Sequence, residues 1–165
     1  MQEASRELLA SREDVWAFFV EPNHLSDWWP GIVGVQADRR GFATGARWQV
    51  SAIEGTFAIG GATLVDLPRA GRPSGPKVAQ TLLITEIAQY LEWSWRLIPS
   101  GSGARLARPL EVRITLAAAA PDRTVVTIGV GRSSFGAPLL GSRDRRLARN
   151  AVNRLYDLVQ TTATL

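Results

Sequence analysis

The chain has 165 residues, 45% of them hydrophobic, and a formal net charge of +4. That length suits one domain with a sizeable core. Cysteine is absent and His24 is the only histidine, which excludes disulfides, thiolate nucleophiles, Cys-based zinc sites and multi-histidine metal centres; a Ser-His-Asp triad would have to use His24.

No apolar run is long enough to span a bilayer. The early acids Glu3, Glu7, Glu13 and Asp14 are wrong for a signal peptide, so a cytoplasmic location is expected. Nearly all the base is arginine, with Lys77 the only lysine. From Arg132 to Arg154 six arginines face the single acid Asp144. No nucleic-acid motif and no basic–aromatic interleaving accompany them, which disfavours nucleic acid as a partner.

Residues 2–9 predict a first strand. Ser11 is placed to cap a helix over 12–20, with Asp14 three residues on, where an acid suits a capping box and the helix dipole. Val15, Phe18 and Phe19 make its apolar stripe. Pro22 opens a second short helix over 22–29, and Pro30-Gly31 ends it. Of the closing pair Trp28 and Trp29, one is expected under a sheet and the other at its rim.

Strands are then predicted over 31–38, 47–54, 56–65, 78–87, 91–98, 110–116 and 124–130. Glu54-Gly55 reads as a hairpin turn, Gly60-Gly61 as a bulge, 66–76 as a Pro/Gly loop and 99–105 as a mobile loop. The cleanest alternation is 91–98, with Leu91, Trp93, Trp95 and Leu97 on one face and Glu92, Ser94 and Arg96 on the other. Residues 110–116 repeat it, with Leu110, Val112, Ile114 and Leu116 opposite Glu111, Arg113 and Thr115. Glu92, Arg96, Glu111 and Arg113 read as cross-strand pairs on an outer surface. Between Leu139 and Leu158 a helix is predicted, with Leu140, Leu147, Ala151, Leu155 and Leu158 on one arc. Hairpin-length links favour an antiparallel meander. A one-sided helix and a one-sided sheet each need cover. The simplest α+β solution is a curved antiparallel sheet of six to seven strands gripping the last helix, in the order β-α-α-β6-α.

This pattern resembles the START-like helix-grip superfamily (SRPBCC), specifically its bacterial polyketide cyclase/dehydrase-like branch. The resemblance rests on V-W-A-F-F-V-E-P-N-H-L-S-D-W-W-P-G (15–31), G-A-R-W (45–48), I-T-E-I (84–87), L-E-W-S-W (91–95) and the terminal helix, and it covers essentially the whole chain. It implies a deep, largely apolar cavity between sheet and terminal helix. The expected function is binding of a small hydrophobic ligand: a lipid, a polyketide or another aromatic or isoprenoid metabolite. The alternative is a polyketide cyclase or dehydratase acting in the same cavity. No cofactor and no metal are expected.

Trp29, Trp48, Trp93, Trp95, Leu147 and Ala151 are the candidate ligand-binding residues, with plain core packing as the competing assignment for the tryptophans. His24 is the default general base if there is catalysis, against a bland helix-surface role. Asp144 falls on the apolar arc, so it must sit at the cavity mouth, pair with an arginine, or be protonated. Pairing with Arg143, Arg154 or a strand arginine is the leading option, and a catalytic acid the other. Tyr90, Tyr156 and any inward arginine complete the conceivable acid/base set. Arg143, Arg145, Arg146 and Arg149 form either a solvated face, salt bridges to the sheet rim, or a contact for an acidic membrane surface or an anionic ligand tail. The sequence does not give an oligomeric state.

Overall fold

The computed structural model describes residues 1–53, 77–99, 109–132 and 141–163. The expected strand over 56–65 with its flanking turn, bulge and loop, the loop over 100–105, and Leu139 and Leu140 lie outside these residues. The order is β1 (Gln2–Leu8), α1 (Arg12–Val20), a 3-10 turn (Pro22–His24), α2 (Leu25–Trp28), β2 (Ile32–Gln36), β3 (Arg47–Ile53), β4 (Lys77–Ala88), β5 (Glu92–Pro99), β6 (Leu110–Ala120), β7 (Arg123–Arg132) and α3 (Gly141–Ala163). The strands form one antiparallel sheet in the order β1-β7-β6-β5-β4-β3-β2. Register shifts at Ile32/Gly34, Ile84/Glu86 and Ala118/Ala120 bend it. α3 lies chiefly along β1 and β7, and α2 bridges β2 and α3. This is the helix-grip fold.

α1 begins as its sequence dictates. Ser11 Oγ accepts from the Asp14 N–H at 3.1 Å and donates to the Asp14 carboxylate at 2.7 Å. Its buried face is Val15, Trp16 and Phe19 rather than Val15, Phe18 and Phe19. Trp16 turns inward against Phe42 and Tyr90, while Phe18 stacks on His24. The second short helix is split into a 3-10 turn and a single α-turn. Trp28 and Trp29 are both buried, at 1% and 0% exposure, so neither sits at a rim.

The β4–β5 link corrects a second expectation. Leu91 is 52% exposed and precedes β5, because the Leu91 N–H closes a turn onto Ala88 O at 2.9 Å. Tyr90 takes a φ of 63°, the left-handed value such a turn normally reserves for Gly or Asn. On α3 the buried face is wider than the apolar arc. Asp144, Leu147, Ala148, Ala151, Val152, Leu155 and Val159 are buried and Leu158 only partly so. That face includes the small Ala148 and the β-branched Val152, both missed by the arc.

Residues 37–46 link β2 to β3 and are closed by Asp38, whose two carboxylate oxygens accept from the Arg40 and Arg47 N–H groups, each at 2.9 Å. Those backbone donors, Arg47 first, hold the carboxyl below its ordinary value of 3.8. A depressed pKa means the stabilisation is present above the unfolded value and is lost as pH falls through the folded one. The stability gap between wild type and Asp38→Ala should therefore be full near neutrality and shrink once pH drops below 3.8, as followed by thermal denaturation across pH. A second expectation concerns the core. Trp93→Ala should cost about 3–5 kcal/mol in urea denaturation, the range for deleting a fully buried large aromatic.

Candidate functional site

The register places inward-facing residues in rows across the sheet. One row runs Trp48, Leu82, Leu97, Leu110 and Arg132. The next runs Ile84, Trp95, Val112 and Val130, and beyond it lies the row of Ile87, Trp93, Ile114 and Ile128. On the far side of the first row, Val50 pairs with Gln80 and Gln80 with Pro99. The opposite faces of β5 and β6 carry the expected outer ion pairs, Arg96–Glu111 at 2.8 Å and Arg113–Glu92 at 3.2 Å. They are largely exposed and worth little.

One end of the concavity is filled by rings. Trp93 meets Phe42 at 5.1 Å, Phe19 at 5.5 Å, Trp48 at 6.1 Å and Trp28 and Trp95 at 6.3 Å. Trp29 meets Trp95 edge to face at 4.7 Å. Thus the structure brings together Trp29, Trp48, Trp93 and Trp95, from α2's C-terminus, β3 and β5. Leu147 and Ala151 stand on the buried face of α3. Phe42 joins this cluster from the loop before β3, a role the sequence hid behind a Gly-flanked turn.

The polar atoms in this interior are unevenly served. Trp48 Nε1 donates to Gly41 O at 2.8 Å. Trp29 Nε1, Trp93 Nε1, Trp95 Nε1 and Gln80 Oε1 are buried with no hydrogen-bond partner. A buried polar atom left unpaired costs about 1–3 kcal/mol, and few occur in a native core. Gln80 was not singled out from the sequence. The available signal was its parity with Leu82 and Ile84, but β4 is apolar on both faces around Leu82-Leu83, which masks the alternation.

Asp144 is buried and accepts from Arg132 Nε at 3.3 Å; the two side chains are 9% and 13% exposed. Arg132 is a strand arginine, two residues past the expected end of its strand. Burial lowers the pKa of Arg154, which sits half-buried on α3. Arg145, Arg146 and Arg149 are exposed and Arg143 is half-buried. His24 is half-buried, with its ring on Phe18 at 4.2 Å and its Nδ1 3.0 Å from Phe18 O. Since a carbonyl only accepts, Nδ1 carries the proton there. His24 and Asp144 make no hydrogen bond or ion pair with one another among the described residues. Tyr90 packs edge-on against Trp16, and Tyr156 lies under the Arg6 guanidinium at 3.5 Å. No group of three or more metal-binding side chains comes together among the described residues, and no described helix is long and apolar enough to cross a membrane.

The helix-grip arrangement of sheet and terminal helix is shared with known proteins. Residues 9–156 match the model of the Activator of Hsp90 ATPase homolog 1-like protein family. The chain belongs to that family. Among solved structures, a START superfamily protein from Mycobacterium smegmatis is similar at 15% identity and a TM-score of 0.63, with 97% of each chain covered. A conserved protein from Geobacillus kaustophilus is similar at 15% identity and a TM-score of 0.66, covering 97% of this chain and 95% of that one. DynU16, a putative protein in the dynemicin biosynthetic locus, is similar at 14% identity and a TM-score of 0.64 over 98% of this chain. The chain spans about half the length of DynU16, 47% of it. A comparison with curated protein sequences finds no match. The family match carries the START-like, SRPBCC character of the chain; at such identities the solved structures speak to the fold alone.

The buried ion pair gives this subsection its prediction. Asp144→Leu and Arg132→Leu should each cost about 3 kcal/mol, and the double replacement should cost clearly less than their sum. A double-mutant cycle in urea measures the coupling.

Proposed function

We propose that the protein binds a small hydrophobic molecule between its sheet and α3, of the lipid, polyketide or other aromatic or isoprenoid kind. One observation carries this reading. α3 lies chiefly against β1 and β7, and the inner residues of β3, β4 and β5, among them Val50, Leu82 and Leu97, give the curved sheet a buried apolar lining. Burying apolar ligand surface there, at roughly 25 cal/mol per Å², is the driving force, and a few polar groups set orientation.

Binding is better supported than catalysis. A cyclase or dehydratase needs an acid/base group free to reach its substrate. Asp144 is held by Arg132, and His24, stacked on Phe18, makes no hydrogen bond or ion pair with Asp144 among the described residues. Binding of a small molecule is also better supported than an action on a chaperone ATPase of the kind named in the family's description. The unpaired polar groups, Trp29 and Trp95 above all, lie inside the concavity and not on an accessible surface.

Native mass spectrometry of the purified protein, followed by denaturation, should release an adduct of a few hundred daltons. Independently, Leu97→Trp, which fills the concavity, should weaken saturable binding of an apolar fluorophore by about tenfold or more, or about 1.4 kcal/mol. A wild-type protein that neither carries an adduct nor binds the fluorophore saturably overturns the reading.

A further inference from the structure

Resting on that binding reading, we propose that the ligand is not a plain hydrocarbon but a neutral, elongated apolar molecule that presents an acceptor oxygen to Trp29 and Trp95 and a hydroxyl to Gln80. The juxtaposition that carries this is a wall with a polar group at each end and hydrocarbon between.

At one end, Trp29 and Trp95 meet edge to face, 0% and 1% exposed, and neither indole N–H has an acceptor. An indole nitrogen is a donor only, so what completes it must be an acceptor such as a carbonyl or ether oxygen. The fold is able to satisfy a buried indole, as Trp48 Nε1 on Gly41 O shows. Trp29 and Trp95 hold their two unpaired N–H groups on adjacent rings. Trp93, with the same unpaired N–H, stands one row deeper behind Phe19, Trp28, Phe42 and Trp48, and no ligand contact is assigned to it.

At the other end, Gln80 is 4% exposed and its Oε1 is unpaired. Trp95 pairs with Ile84, four residues from Gln80 along β4 and on the same face. At about 3.3 Å per residue the two polar positions stand about 13 Å apart along the strand. Leu82 and Leu97 fill the interval, 0% and 2% exposed. A hydroxyl, which both donates and accepts, completes the Gln80 amide whichever way it is turned. The charged groups of the adjoining row, Arg132 and Asp144, are paired with each other. The wall therefore offers a ligand acid no net charge, which makes the ligand neutral.

Three probes of nearly one shape test this by isothermal titration calorimetry: phenylnaphthalene, flavone, and flavone with a hydroxyl at the far end of its phenyl ring. Wild type should bind flavone about tenfold more tightly than phenylnaphthalene, and the hydroxylated flavone about fivefold more tightly again. Trp95→Phe should collapse the first ratio and Gln80→Leu the second. These ratios between probes do not move when a pocket merely loosens. Equal affinities for the three probes in wild type overturn the proposal and leave hydrophobic binding standing. Failure of all three to bind overturns both.

Discussion

The aromatic contacts of Trp93 hold the rest of the structure in place. Its ring lies at the meeting point of α1 through Phe19, α2 through Trp28, the β2–β3 loop through Phe42, β3 through Trp48 and its own strand through Trp95. Each such pair adds roughly 0.5–1.5 kcal/mol beyond the burial of its surface. Because five separate segments converge on one ring, none of them moves without disturbing the others. The two short helices have little stability of their own at these lengths. They persist because their aromatic residues are inserted into this cluster. One end of the curved sheet is therefore filled by interlocking rings, Trp29 and Trp95 among them.

Electrostatics divides along the same line. On the outer face, Arg96–Glu111 and Arg113–Glu92 tie neighbouring strands that the backbone already holds, and solvent screens them. On the inner face, Arg132–Asp144 joins β7 to the first turn of α3, where an acid also suits the helix dipole. Further along, Arg6 donates to Asn153 Oδ1 at 2.7 Å while stacking on Tyr156, and so fixes α3 against β1. Both tethers lie on the β1–β7 side. α3 is thereby held at one edge of the sheet.

The sequence displays the parts of this arrangement that depend on period. β5 and β6 stand out because each alternates apolar and charged residues over a full strand, and α1 stands out because its cap is spelled by Ser11 and Asp14. What depends on three-dimensional neighbours is hidden. Leu91 fits the alternation of β5, yet a turn consumes it. Trp16 replaces Phe18 on the buried face of α1 because Phe42 and Tyr90 wait for it from distant segments. The apolar arc of α3 misses Ala148 and Val152, whose small or branched side chains matter only once β1 and β7 lie against them. Gln80 is invisible for a related reason. Its strand is apolar on both faces around Leu82-Leu83, which masks the way its amide points.

The unpaired indoles bear on why tryptophan is used here at all. Phenylalanine would bury a comparable ring without an N–H to satisfy, and a core selected for packing alone gains from that exchange. At position 48 the added N–H has a use, because it fastens the β2–β3 loop through Gly41 O. At positions 29 and 95 it has none within the protein. A fold that keeps two unsatisfied donors beside each other, at the boundary between a packed cluster and an apolar wall, carries a cost that packing does not offset. An acceptor supplied from outside the chain does offset it.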